Sequence, residues 1–314
     1  MSTTAQAHPN IALVKYWGKQ DGTGNLPATP SLSITLDTLQ TTTTVEAAQG
    51  SDRVYFDDKA ADDPKILAFL AELRRLYDIP PLTVRTQNNF PAGAGLASSA
   101  SGFAALTTAI DAECELGLSR GTLSALARMG SGSAARSIFG GFVALEGPAW
   151  EARQVLAPTE WPLTTIVVIT SSEQKRIPST TGMTLSKQTS PYFPAWVTST
   201  RADFDLGLLL VARRDFDALA ELAEQSCLTM HALMLSTRPP LLYWNTATMA
   251  CIEAIREMGQ AGLSVFFTID AGPQVKAVCL PQAAEEVRST LQQISGVEQV
   301  LTAGLGNGAS ICLS

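Results

Sequence analysis

The chain has 314 residues, 46% of them hydrophobic, 7% aromatic and 16% charged, with 23 Gly and 17 Pro, a composition that excludes disordered, collagen-like and low-complexity proteins. At roughly 100–200 residues per domain, this length suits two domains or one large one. Twenty-two Lys and Arg against 29 Asp and Glu leave a net charge of −7, so no sequence-wide positive field exists to hold nucleic acid or an anionic membrane, and any anionic ligand has to be met by local basic residues.

The opening MSTTAQAH lacks the basic start and apolar run of a secretory leader. The longest apolar stretches, residues 166–169 and 206–212, fall far short of the roughly 18 that a membrane span needs, so a cytoplasmic protein is expected. Alternation predicts strands at 31–36 and 42–46, and a third at 53–56 follows a Gly-Ser-Asp turn. Helical spacing with Pro near the start predicts a helix over 64–77, and 82–86 reads as strand again.

Residues 89–101, NFPAGAGLASSAS, form a Gly/Ala/Ser loop running into an Ala-rich helix predicted over 102–116. This is the outline of a phosphate cradle: small residues let the backbone approach an anion, and the free amides and dipole of a helix start face it. The hydroxyls of Ser98, Ser99 and Ser101 are placed either to bind phosphate or Mg2+ or simply to cap the helix. A second small-residue segment, GSGSAARSIFGG at 130–141, joins a helix predicted over 122–129 to a strand over 142–145. It brings hydroxyls close to Arg136, whose planar fork suits bidentate capture of a carboxylate, although a lone arginine also reads as a surface charge.

Beyond 148–162 the pattern changes to a β-branched strand over 164–170 and helices over 193–213, 216–234 and 246–262, which places a domain boundary near Pro162. Strands at 264–269, 275–280, 297–301 and 309–313, with a helix over 282–294, predict an α+β second domain. GLGNG at 304–308 contains Asn-Gly and reads as a hairpin turn. The five cysteines, at 114, 227, 251, 279 and 312, never form Cys-x-x-Cys and read as buried thiols. With only His8 and His231, and neither a Gly-x-Ser-x-Gly nor a His-Glu-x-x-His, catalysis by a Ser-His-Asp triad or a histidine-bound metal is not expected, and His231 reads as a packed helix residue.

Three segments together resemble the diphosphomevalonate decarboxylases, a branch of the small-molecule kinase superfamily: NIALVKYWGK at 10–19, the loop at 91–102, and SGSAAR at 131–136 together with TIDAGP at 268–273. Lys-Tyr-Trp-Gly-Lys is the narrowest of these, and motifs in the family's order run from residue 7 to about 280. The resemblance implies an α+β, two-domain small-molecule kinase fold: a ribosomal protein S5 domain 2-like domain over 1–162, a ferredoxin-like domain over 163–314, and a cleft between them. It implies ATP with Mg2+, an anionic 5-phosphorylated mevalonate as substrate, and a homodimer. It sets Asp270 beside the substrate's 3-hydroxyl, Arg136 on its carboxylate and Lys15 close to both; the apolar run ahead of Lys-Tyr-Trp-Gly-Lys likewise predicts Lys15 at a strand end facing the cleft. Tyr16, Lys19, Ser131, Ser133 and Ser179 correspond to the 5-phosphate site; Gly93, Gly95, Ser98, Ser99 and Ser101 belong to the ATP loop, with Ser99 as the residue for Mg2+.

The chemistry fits such a set. A β-hydroxy acid does not readily lose CO2 while its tertiary hydroxide is so poor a leaving group. Phosphorylating that oxygen turns it into phosphate, and its departure lets the carboxylate electrons follow as CO2 leaves. Phosphoryl transfer through a loose transition state needs positioning and charge neutralisation more than a strong base. Five positions depart from the family pattern and are expected near the substrate: Thr29 and Pro30, Pro178 and Thr180, and Leu145. They remove hydrogen-bond donors from the expected phosphate end, which keeps mevalonate 5-phosphate open as the alternative to the 5-diphosphate. A kinase that stops at the phosphorylated product and a non-catalytic nucleotide-binding regulator are the remaining alternatives.

Overall fold

The computed structural model describes residues 2–90, 98–173 and 175–312. Among these, helices and strands build an α+β molecule with three sheets. A six-stranded sheet runs in the order Ser310–Ile311, Ser2–Ala7, Thr41–Ala47, Leu82–Asn88, Arg53–Phe56, Lys59–Ala61. The first four-stranded sheet contains Asn10–Val14, Ser31–Thr35, Phe142–Glu146 and Glu151–Leu156, and the second contains Val265–Thr268, Val275–Cys279, Thr164–Ile169 and Gln299–Ala303.

Local chemistry accounts for the element ends. Asp63 caps the helix Pro64–Leu76 by accepting from the amides of Lys65 and Ile66, and Pro64 occupies the first turn, where a missing N–H costs nothing. Arg214 in the left-handed conformation ends Phe193–Arg213, and Asp215 then caps Phe216–Leu235, giving a tight helical hairpin. Asn245 and Thr248 form a reciprocal capping box at the start of Thr246–Gln260.

The helix Ser98–Glu113 packs its alanines on the six-stranded sheet, where Ala104, Ala105 and Ala109 have no exposed surface. A second core cluster takes Leu13, Phe142 and Trp161 together with Val167, Phe204 and Phe266, so apolar side chains from both sides of Pro162 share one interior. The Phe142 and Trp161 rings stack there at 5.2 Å.

Several expectations shift. The Ala-rich helix begins at Ser98 rather than 102, so Ser98 and Ser99 occupy its first turn. The strand Ser2–Ala7 and the helices Ala134–Ser137 and Ser179–Thr189 carry polar, weakly periodic sequence and were not expected. Residues 304–308 do not form a hairpin: Gln299–Ala303 pairs with Thr164–Ile169, whereas Ser310–Ile311 crosses to pair with Ser2–Ala7. The glycines serve close approach instead, since a Cβ on Gly306 would collide with the carbonyl of Leu36 and one on Gly308 with that of Ile138. Of the five thiols, Cys227, Cys251 and Cys279 are buried, but Cys114 and Cys312 are only partly so.

Candidate active site

A cleft of about 1090 Å3 lies between the second four-stranded sheet and the elements of the other two. Asp270 stands on its wall, two residues beyond the strand Val265–Thr268, with its side chain 28% exposed. Lys15 follows directly on the strand Asn10–Val14, whose register shifts between Ala12 and Val14, a bulge of the kind that re-aims the chain. Its Nζ donates to Asp270 Oδ1 at 2.7 Å. Lys15 has no exposed surface and is not among the residues lining the cleft. The expectation of a strand-end lysine facing the cleft is corrected accordingly, because the ammonium lies behind the carboxylate it pairs with.

The two backbones meeting here are tied together. Thr268 Oγ1 donates to the carbonyl of Ala12 at 3.1 Å. On Phe216–Leu235, Ser226 Oγ accepts the Lys15 amide at 2.9 Å, and the adjacent Cys227 Sγ accepts the Ile269 amide at 3.2 Å. One turn on, His231 Nε2 lies 3.3 Å from the Ile269 carbonyl. A single helix thus holds the chain segments of both members of the ion pair. His231 packs as expected, with its ring 4.4 Å from that of Trp244.

A second lysine, Lys276 on Val275–Cys279, reaches to 3.7 Å from Asp270 Oδ2 and is buried. Burial pushes the Asp270 carboxyl up, but Lys15, Lys276 and Arg136 outweigh it and hold it down at about 2. Burial lowers Lys276 to about 8 against the pull of Asp270, with Lys15 and Lys175 adding repulsion. Arg136, on Ala134–Ser137, lines the same cleft; burial lowers it to about 10, and Asp270 and Tyr16 oppose the shift. Its Nε donates to Asn10 Oδ1 at 3.1 Å and its Nη1 to Ser31 Oγ at 2.7 Å, which fixes the guanidinium plane. Burial likewise holds His231 down at about 3, reinforced by Lys15.

Tyr16, Lys19, Ser131, Ser133 and Ser179 all line the cleft. Tyr16 Oη is buried without a hydrogen-bond partner among the described residues, and burial pushes the phenol up to about 12. It faces Gly132, where any Cβ would collide with it. Lys19 Nζ donates to Asn25 Oδ1 at 2.6 Å and lies 3.5 Å from Thr180 Oγ1. Lys175 donates to Ser179 Oγ at 3.0 Å and to the Ala271 carbonyl at 2.9 Å. Burial first, and then the neighbouring Lys65, lower Lys19. Burial also lowers Lys175, where Asp270 opposes the shift. Of the five departures, Pro178 and Thr180 line the cleft, but Thr29, Pro30 and Leu145 do not. Leu145 is buried against Ala135, Val143 and Trp150, which corrects the expectation that it lies near the substrate.

Ser98 and Ser99 line this cleft and also a second cavity of about 240 Å3, walled by Phe56, Ile66, Val84, Phe103 and Leu106 with Asn88 at hand. Ser99 Oγ lies 3.2 Å from Ser131 Oγ, so the two small-residue segments meet. Ser101 stands apart: it is fully buried and its Oγ pairs with Thr41 Oγ1 at 2.6 Å. Gly93 and Gly95 lie outside the described residues.

Descriptions of known families match both halves of the chain: "Diphosphomevalonate decarboxylase-like N-terminal domain" over residues 7–152 and "Mevalonate 5-diphosphate decarboxylase C-terminal domain" over 165–306. A curated diphosphomevalonate decarboxylase of Candida albicans is 37% identical over 298 residues, 87% of this chain and 82% of that relative. The chain belongs to the diphosphomevalonate decarboxylase family. The Danio rerio member is 35% identical over 91% of the chain and 78% of its own length. Among solved structures, one described as MDDEF in complex with MVAPP, AMPPCP and magnesium superposes with a TM-score of 0.92 at 34% identity, covering 100% of this chain and 99% of that one. The Staphylococcus aureus mevalonate diphosphate decarboxylase superposes with a TM-score of 0.92 at 31% identity over 99% and 98%. The α+β two-domain fold expected from the resemblance is therefore the family's own.

Sequence reasoning missed Lys276, Cys227, Asn25 and Lys65. Lys276 sits in VKAVC, a strand pattern in which a lysine reads as an edge charge. Cys227 sits mid-helix in SCLTM and reads as core. Lys65 and Asn25 carry no motif; each is brought to the cleft by folding alone.

Proposed function

We propose that this chain catalyses the ATP-dependent decarboxylation of mevalonate 5-diphosphate to isopentenyl diphosphate, with ADP, phosphate and CO2 as the other products. The observation that carries the reading is one cleft joining the Asp270 carboxylate, backed by Lys15, to the Arg136 guanidinium and to serines at a helix start. We place Asp270 on the 3-hydroxyl, where it orients that oxygen and takes its proton as the oxygen bonds to the γ-phosphorus and the bond to ADP breaks. Arg136 holds the substrate's C1 carboxylate. When the C–O bond to phosphate breaks, the oxygen keeps the bonding pair; the electrons of the C–C bond to the carboxylate form the new double bond, and CO2 leaves. Lys15 and Arg136 stabilise the charge that develops at these oxygens.

Tyr16, Lys19, Ser131, Ser133 and Ser179, together with Lys175, are proposed to hold the 5-diphosphate. The loop residues Gly93 and Gly95, with Ser98 and Ser99, take the ATP phosphates, and the apolar second cavity takes the base. Among the described residues no group of three or more His, Cys, Asp or Glu could cage a metal ion. The hydroxyl donors present instead suit Mg2+ that arrives on nucleotide phosphates and keeps much of its water, with Ser99 as its protein contact. Bound there, Mg2+ neutralises charge on the transferring phosphoryl group.

Relatives named for the diphosphate, and a solved relative described with MVAPP, favour it over the 5-monophosphate. Three of the five departures that favoured the monophosphate lie off the cleft wall. The test is to incubate the protein with ATP, Mg2+ and, in turn, mevalonate, its 5-phosphate and its 5-diphosphate, following ADP and CO2 separately. ADP and CO2 in equal amounts with the diphosphate are expected, and a tenfold preference for the monophosphate, about 1.4 kcal/mol, would reverse the assignment. ADP without CO2 would make the protein a kinase.

The family likeness also leads us to propose a cytoplasmic homodimer and a division into domains at 1–162 and 163–314; the second is supported by the two family matches ending at 152 and starting at 165. Among the described residues no helix is long and apolar enough to cross a membrane.

A further inference from the structure

Asp270 faces four buried or cleft-lining cations, Lys15, Lys276, Arg136 and Lys175, and the first two approach different oxygens of its carboxylate. We propose that Lys276 is a positioning residue for the reaction, a second buried cation that holds Asp270 Oδ2 while Lys15 holds Oδ1, so that the carboxylate is presented to the cleft in one orientation. The inference rests on the assignment of Asp270 as the group beside the 3-hydroxyl.

The geometry supports this division of labour. Lys276 points from the strand Val275–Cys279 across to the loop that carries Asp270, at 3.7 Å from Oδ2, and its Nζ also donates to the carbonyl of Gln274 at 3.3 Å. Gln274 is itself pinned, with Oε1 accepting the Thr170 amide at 2.6 Å and Nε2 donating to the Ser171 carbonyl at 2.6 Å. The ammonium therefore stands on a fixed platform. Lys276 is 2% exposed and does not line the cleft, so it acts on the substrate only through Asp270. Two cations behind one carboxylate leave the pocket net positive, which favours a negatively charged oxygen at the cleft surface; removing one of them weakens that field and frees one end of the carboxylate.

Among the described residues, the groups facing Lys276 include Asp270 from the 269–274 loop, Lys15 from the end of Asn10–Val14, Lys175 from the 171–178 segment, and Cys227 and His231 from Phe216–Leu235. Asp270 and Cys227 favour its charge, and Lys15 and Lys175 oppose it, while burial is the largest influence and holds it at about 8. The charge on which the arrangement depends is therefore lost as the pH rises through about 8. The wild-type enzyme should show an alkaline fall in kcat/KM there.

The test uses the full chain, ATP, Mg2+ and mevalonate 5-diphosphate, with Lys276→Met and Lys276→Arg. Lys276→Met should lower kcat by about 10-fold to 100-fold, as expected for a loosened catalytic group, while KM for either substrate changes little. Its kcat/KM should stay level across the range where the wild type falls. Lys276→Arg should recover part of kcat and move the alkaline limb upward. Independently of activity, Lys276→Met should lower the melting temperature less in an Asp270→Asn background than in the wild type, because the amide no longer needs the cation. Wild-type kcat with an unmoved alkaline limb in Lys276→Met would overturn the inference. Equal melting shifts in the two backgrounds, or failure of Lys276→Met to fold in both, would also overturn it by making Lys276 a packing residue. Absence of ADP and CO2 from the wild type would instead refute the proposed function, and the melting comparison would still decide whether Lys276 serves Asp270.

Discussion

Acid should weaken this protein through His231, and replacing that residue by glutamine should remove the effect. The ring is 3% exposed, lies 3.3 Å from the Ile269 carbonyl and 4.4 Å from Trp244, and has Lys15, Asp270 and Lys276 for charged neighbours, the carboxylate opposing the two cations. Burial, then Lys15, hold it at about 3 in the fold against an ordinary value of 6.5. Above 6.5 both folded and unfolded chains carry it neutral, and its full contribution to stability is present. As the pH falls below 6.5 the unfolded chain takes up a proton that the folded chain refuses, so stability is lost steadily until about pH 3, where the folded ring also protonates. Between about pH 7.5 and 5 the loss is about 2 kcal/mol, a value that scarcely changes if the folded value lies anywhere below about 4. Other groups titrate over the same range, so the quantity to measure is the wild-type loss minus that of His231→Gln. Glutamine keeps an N–H donor for Ile269 but has no proton to gain. Urea unfolding at the two pH values should show the wild type losing about 2 kcal/mol more than the variant, whatever the variant's own stability at the higher pH. Parallel losses in the two proteins would refute the account of a neutral, desolvated His231.

The catalytic assignments make sharper demands. Asp270→Ala should abolish both ADP and CO2 formation by at least about 10²-fold while ATP binding, followed by a fluorescent analogue, persists; turnover near wild type would remove Asp270 from the mechanism. Arg136→Lys should damage CO2 release at least as much as phosphoryl transfer, and by leaving the acceptors on Asn10 or Ser31 unpaired it should also cost about 1–3 kcal/mol of stability in urea unfolding. Full CO2 release by that variant would make Arg136 structural. Ser99→Ala should weaken MgATP binding by about 1.5–3 kcal/mol in calorimetry and leave binding of the diphosphate substrate unchanged; unaltered nucleotide affinity would reduce the serine to a helix-start residue.

Much of the site was legible in the sequence because it is carried by short contiguous motifs. KYWGK, SGSAAR and TIDAGP each hold residues that end up on or just behind one cleft wall, and a motif survives reading in one dimension. The long helices over Phe193–Arg213 and Phe216–Leu235 were equally plain, since helical spacing and an Asp cap are local signals. What failed was orientation. Lys15 was expected on the cleft and lies behind Asp270, and Leu145 was expected near substrate and lies in the core, because a strand's sequence does not tell which of its two faces meets a neighbouring sheet.

Composition and charge by themselves determined that this is a folded, net-acidic protein, and the resemblance carried by its short motifs implied the α+β kinase-like decarboxylase fold and the Lys15, Arg136 and Asp270 set. Only the tertiary structure decided how that set comes together. Lys15 and Asp270 stand 255 positions apart and meet at 2.7 Å because one helix binds both of their chain segments through Ser226 and Cys227. Lys276, an unremarkable strand lysine in the sequence, becomes a buried counter-charge because its strand runs antiparallel to the one that delivers Asp270. The Asn-Gly segment at 304–308 follows the same logic: its residues favour a turn, but the pairing of Ser310–Ile311 with Ser2–Ala7 draws the chain into another sheet. Long-range pairing and burial carry more free energy than a local turn preference, and neither is written in any short stretch of chain.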